Sequence, residues 1–173
     1  AVSLGRLKMS GSEQVNTPEV TTALSNTLSR FDPAVRTAAA FALKRIAATE
    51  LSDSTWTRLS EASHQDRDPT VRATLTQALA FSANSRSQEY FTQQSQDSET
   101  VVRIAAARSV TDMQLAEPVE ALKSMLDDPS WAVRLTVIQK LAEQDDVPAD
   151  LFGTLANEAK SPAVVGAALR PFL

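Results

Sequence analysis

Arginine recurs at near-regular distances along this chain. Arg36, Arg72, Arg103 and Arg134 close four related cores: Asp32-Pro33-Ala34-Val35-Arg36, Asp68-Pro69-Thr70-Val71-Arg72, Glu99-Thr100-Val101-Val102-Arg103 and Ser130-Trp131-Ala132-Val133-Arg134. A guanidinium presents a planar fork of donors that matches a carboxylate or a phosphate. An evenly spaced set is therefore either an anion-binding stripe or a structural ladder. The acids favour the ladder. Asp32–Arg36, Asp68–Arg72 and Glu99–Arg103 stand at i, i+4 with the acid N-terminal, the favourable order on a helix, and Asp128 is grouped with Arg134 in the same role.

Other reactive side chains are few. His64 is the single histidine, and no Gly-x-Ser-x-Gly elbow presents a serine to it. It ends an expected helix, where a partly cationic ring is favoured beside the dipole. Asp127-Asp128, Asp145-Asp146 and Asp150 lack the glycine and alternating oxygen ligands of a calcium loop, and read as solvated caps at helix junctions. Gly5, Gly11, Gly153 and Gly166 form no phosphate-cradling motif. The chain has no cysteine, which excludes disulfides, cysteine-ligated metal and a thiol nucleophile. No catalytic residue, metal or cofactor is expected.

Composition agrees. The 173 residues are 43% apolar and 22% charged with net charge −4, enough for one domain with a buried core. Aromatics at 5% and abundant alanine disfavour a β-sandwich or barrel. No run approaches the length of a membrane span. Mild acidity makes nucleic acid an unfavoured partner. Charge is uneven: residues 1–86 carry net +2 and residues 87–173 net −6. That asymmetry could orient a partner or favour head-to-tail association, though a solvated surface explains it almost as well.

The cores repeat at steps of 36, 31 and 31 residues, and a fifth, Pro162-Ala163-Val164-Val165-Gly166, follows after 32 with glycine in place of arginine. Seven residues beyond come Leu43, Leu79, Val110, Leu141 and Leu173. Asp32 and Asp68 are N-cap residues, with Pro33 and Pro69 at the first helical position. The valine, the small residues Ala38, Ala39, Ala105 and Ala106, and the residue at plus seven share one helical face. Second helices are thus expected at about 33–48, 69–82, 99–113, 129–143 and 162–173. Shorter first helices are expected at 18–29, 53–64, 86–96, 118–127 and 148–160, several opened by proline. Short links make each pair an antiparallel hairpin. The expected fold is all-α, a right-handed solenoid of about five hairpins in one domain over 1–173, with repeats at about 17–48, 52–83, 85–113, 117–144 and 147–173.

The Asp-Pro-x-Val-Arg cores, the alanine-rich continuation Thr37-Ala38-Ala39-Ala40-Phe41-Ala42-Leu43 and the spacing near 31 resemble the HEAT-like repeat family, in particular the short bacterial type named from phycobilisome lyase subunits. Two departures stand out: the fourth core has two extra residues between Asp128-Pro129 and its valine, and the fifth is degenerate. The resemblance implies that the ladder links successive repeats, and that such repeats act mostly as scaffolds. Residues 1–12 read as the end of a preceding second helix, with Leu4 and Leu7 matching Leu43 and Ile46. Neither end offers a polar capping repeat, so the chain is expected to be part of a longer polypeptide with open ends capable of self-association. Compartment is not legible.

In the resembling family, positions one and five after the arginine face the concave surface. Here they read Thr37, Ala73, Ile104, Leu135 and Phe41, Gln77, Arg108, Gln139. Phe41, Ile104 and Leu135, framed by Lys44, Arg45, Gln77, Arg108 and Gln139, have the make-up of a protein-binding groove. The opposing reading is that superhelical curvature lets neighbouring helices cover those side chains. The expected function is non-catalytic recognition of a protein partner or of another domain of the same polypeptide. Alternatives are an accessory role like that of the lyase subunits, attaching a chromophore or cofactor, and nucleic-acid binding, for which Lys44, Arg45 and Arg108 offer few phosphate contacts.

Overall fold

The computed structural model describes residues 18–46, 51–82 and 85–144, together with residues 147, 151, 152, 162, 165 and 166. Eight α-helices stand among them: α1 Pro18–Thr27, α2 Pro33–Ile46, α3 Asp53–Gln65, α4 Pro69–Leu79, α5 Ser87–Ser95, α6 Thr100–Ser109, α7 Pro118–Lys123 and α8 Trp131–Leu141. No strand occurs among the described residues. The expected terminal segment 1–12 lies outside them, as does the expected last hairpin apart from Leu151, Phe152, Pro162, Val165 and Gly166, all helical. Asp145, Asp146 and Asp150 are likewise outside.

Local chemistry explains where helices start and stop. Asp68 caps α4, its Oδ1 accepting from the Thr70 N–H at 2.8 Å, and Pro69 follows where a missing N–H costs nothing. Asp32 does the same for Ala34 at 2.8 Å. Ser52 caps α3 through the Thr55 N–H. Several helices are shorter than expected, because their last turns tighten or unwind. Residues 124–127 after α7 and 110–114 after α6 are turns, the latter carrying Gln114 at φ 50° between buried Met113 and Leu115.

The helices stack in two layers. Each odd-numbered helix packs on the even-numbered helix that follows it, and the even helices pack in a row, α2 on α4, α4 on α6, α6 on α8. Among the described helices no principal contact skips a repeat, as a solenoid requires. Alanines make the row tight: Ala39, Ala40, Ala42, Ala105, Ala106 and Ala107 are all 0–1% exposed. Leucines and aromatics of the odd helices (Leu24, Trp56, Leu59, Tyr90, Phe91, Leu122) fill the space between layers. Successive odd helices approach less closely than successive even ones.

The core is continuous from Leu24 to Phe152. Val71, Val102 and Val133 are fully buried, as the face pattern predicts, whereas Val35 in the first core is 39% exposed, since no described helix stacks on that side of α2. A polar knot crosses the second and third repeats. Tyr90 donates to Ser63 Oγ at 2.9 Å, Thr76 donates to Gln94 Oε1 at 2.9 Å, and all four are buried. Trp56 and His64 meet the Tyr90 ring edge-to-face, with centroids 5.8 and 5.5 Å away.

Candidate functional site

The arginines reach forward, not along their own helices. Arg36 grips Asp66 with Nε and Nη2 at 2.7 and 2.9 Å, Arg72 grips Asp97 at 2.9 and 2.9 Å, and Arg103 grips Asp128 at 2.6 and 3.0 Å. The i, i+4 partners expected from spacing, Asp32, Asp68 and Glu99, are not the acceptors. Asp32 and Asp68 spend their oxygens on helix N–H groups, and Glu99 is exposed. The acceptors stand two residues before the caps. There Oδ1 takes a backbone N–H (Asp68, Glu99 and Ser130, at 2.8–2.9 Å), which fixes the carboxylate for the guanidinium. Each arginine's Nη1 also donates to the carbonyl six residues earlier, Arg30, Asp66, Asp97 and Asp128 respectively.

Asp128 is therefore the counterpart of Asp66 and Asp97, not of Asp32 and Asp68. Ser130 holds the N-cap position, and the apparent two-residue insertion disappears. Burial opposes ionisation of Asp66, Asp97 and Asp128. Hydrogen bonds from the guanidinium and the backbone N–H outweigh it and hold all three below the usual carboxylate range. For Arg36, Arg72 and Arg103 the geometry is that of an inter-repeat clamp that leaves little of the fork free for an outside anion, whereas Arg134 donates only to the Asp128 and Pro129 carbonyls among the described residues.

The even-helix surface is mixed. Phe41 is 48% exposed, while Ile104 and Leu135 are half-buried against the core, partly covered by their neighbours. Lys44 donates to Gln77 across α2 and α4, so those two groups engage each other. Arg45 is half-buried, and Arg108 and Gln139 are exposed. Two residues join the surface unforeseen: Val101 at 45% and Trp131 at 54% exposure. Val101, Ile104 and Arg108 run i, i+3, i+7 along α6, and Trp131, Leu135 and Gln139 run i, i+4, i+8 along α8, so each trio shares a face. The same periodicity that picked out Ile104 and Leu135, extended one turn back, would have found both. Phe31, in the loop before α2, is 98% exposed.

His64 lies in the last turn of α3, its Nδ1–H donating to the Ser60 carbonyl at 2.6 Å while Nε2 is buried without a partner. Among the described residues no group of three or more His, Asp or Glu side chains could hold a metal ion. No helix among them is long and apolar enough to cross a membrane.

Models of HEAT repeats match residues 56–142 and 89–170, about two thirds of the chain. The chain belongs to the HEAT repeat family. The two overlapping HEAT matches agree with the nearest-neighbour packing, and the all-helical fold is a HEAT-type solenoid. HEAT repeats commonly serve as protein-interaction scaffolds and are typically non-catalytic. No curated protein matches the chain significantly.

Proposed function

We propose that this HEAT-repeat chain is a non-catalytic recognition module that holds a protein partner, or another domain of its own polypeptide, along the even-helix surface. Trp131, Val101 and Phe41 are the exposed anchors. Ile104 and Leu135 form a half-buried floor between them, and Arg108, Gln139, Arg45 and the Lys44–Gln77 pair frame it. One observation carries the reading. Among the described residues, the large apolar side chains exposed on helix faces, apart from Val35 on the unstacked side of α2, are Phe41, Val101 and Trp131, all on even helices and none on an odd helix. Aromatic side chains left in water beside polar groups are the usual energetic centres of protein interfaces.

The test is cross-linking and mass spectrometry on the native complex, wild type against Phe41→Ser/Trp131→Ser. Loss of the same partner at unchanged melting temperature is expected. In a Trp56→Phe background, the recovered partner should also shield Trp131 from acrylamide quenching. Full quenching with the partner bound would remove the surface from consideration.

A further inference from the structure

The odd-helix layer carries a second feature, lined by none of the residues of the surface just described. Between α5 and α7 the gap opens into a groove of about 720 Å³. Its floor is apolar, built from the buried residues Phe91, Ala121 and Met125. Its walls carry Glu117, Glu120, Asp127 and Asp128 and no lysine or arginine. Two of these acids are occupied, Glu120 by Lys123 at 2.7 Å and Asp128 by Arg103. Glu117 and Asp127 are exposed on either side of α7, and neither has an ion pair among the described residues. A groove with an apolar floor, neutral polar walls that include Gln88, Thr92 and Gln96, and two unpaired rim carboxylates selects its occupant by sign.

We propose that the α5–α7 groove docks a basic segment of a partner protein, with one apolar side chain seated toward Phe91 and Met125 and lysine or arginine on either side meeting Glu117 and Asp127. The apolar contact supplies binding energy, and the carboxylates set orientation and reject acidic segments. The volume is that of a side-chain pocket rather than a whole-domain interface. The net −6 of residues 87–173 adds long-range attraction for a cationic segment.

The probe is a fluorescein-labelled Lys/Leu peptide, read by anisotropy, with Glu/Leu and Lys/Ser peptides as controls. The Lys/Leu peptide should bind, weaken with added salt, and lose affinity about tenfold on Glu117→Gln/Asp127→Asn, the scale of two exposed ion pairs. Glu19→Gln/Asp112→Asn, which changes net charge equally at exposed sites outside the groove, should shift affinity less than twofold. Equal losses from both pairs would reduce the effect to bulk attraction and overturn the proposal, as would equal binding of the Lys/Ser peptide. A dimer in sedimentation that Glu117→Gln/Asp127→Asn dissolves would replace the basic partner with a second copy, and also overturn it. Because Phe41 and Trp131 lie on the other layer, Phe41→Ser/Trp131→Ser should leave peptide binding unchanged.

Discussion

A carboxylate two residues before the caps of α4, α6 and α8 decides how one repeat is tied to the next. Arg72 and Asp97 have side chains only 10% and 12% exposed, so removing one leaves the other charge poorly solvated. Arg72→Ala should cost about 3 kcal/mol in denaturant unfolding, the range for breaking a largely buried pair. Its pH dependence follows from the depressed carboxylates. Stability from Asp66, Asp97 and Asp128 is fully present above their unfolded value, about 4, and drains as pH falls below it. Arg72→Ala should flatten that acid slope. Tyr90, the single tyrosine, behaves oppositely. Burial pushes its hydroxyl up to about 12 against the hydrogen bonds with Ser63 and Thr76. Tyrosinate absorbance should thus stay absent in the native protein well past the ordinary tyrosine value of about 10. Its folded-state proton is the tighter one, so stability falls as pH rises between about 10 and about 12. Ionisation at the ordinary tyrosine value without unfolding would mean the polar knot is open to water.

Helix ends divide into those held by side chains and those held by the clamp. Asp68 accepts from the Thr70 N–H, whereas Glu99 at the equivalent position makes no side-chain cap bond. Asp68→Ala should therefore cost about 1 kcal/mol, and Glu99→Ala less than about half of that, compared by urea midpoints at constant slope. At α6 the entry is fixed by Asp97 accepting from the Glu99 N–H, so the residue that reads as a cap is a spectator there. Between layers the division is by size. Alanines let even helices close on one another, while Trp56, Tyr90 and Phe91 fill the space between the layers. Arg86 stacks over Trp56 at 4.0 Å and pairs with Asp53 at 3.0 Å, tying α3 to the start of α5 across that wider spacing.

For the whole molecule, nearest-neighbour packing means that stability is close to a sum of repeat and interface contributions. Damage at one interface should stay local. In hydrogen exchange, Arg72→Ala should accelerate amides of α4 and α6 most and those of α1 least; uniform acceleration would indicate a single cooperative unit instead. The two layers also carry different chemistries. Exposed aromatics gather on the even helices, and the acid-rimmed groove opens between odd ones. One chain could hold two dissimilar partners without competition.

The amino-acid order alone determined the four described helical hairpins, their order and most of their buried faces. A 31-residue period and a 3.6-residue period are both local in the chain, and burial of Leu43, Leu79, Val110 and Leu141 follows from them. It also marked Arg36, Arg72 and Arg103 as a set. What it did not decide is which carboxylate each arginine meets, because Asp66, Asp97 and Asp128 come within reach only when hairpins stack, while the acids at i, i+4 compete for attention along the chain. Ile104 and Leu135 read as outward and are half covered for the same reason: a residue's exposure depends on the helix beside it, which sequence spacing does not contain. The groove between α5 and α7 exists only through that stacking, since its floor and rim come from two repeats.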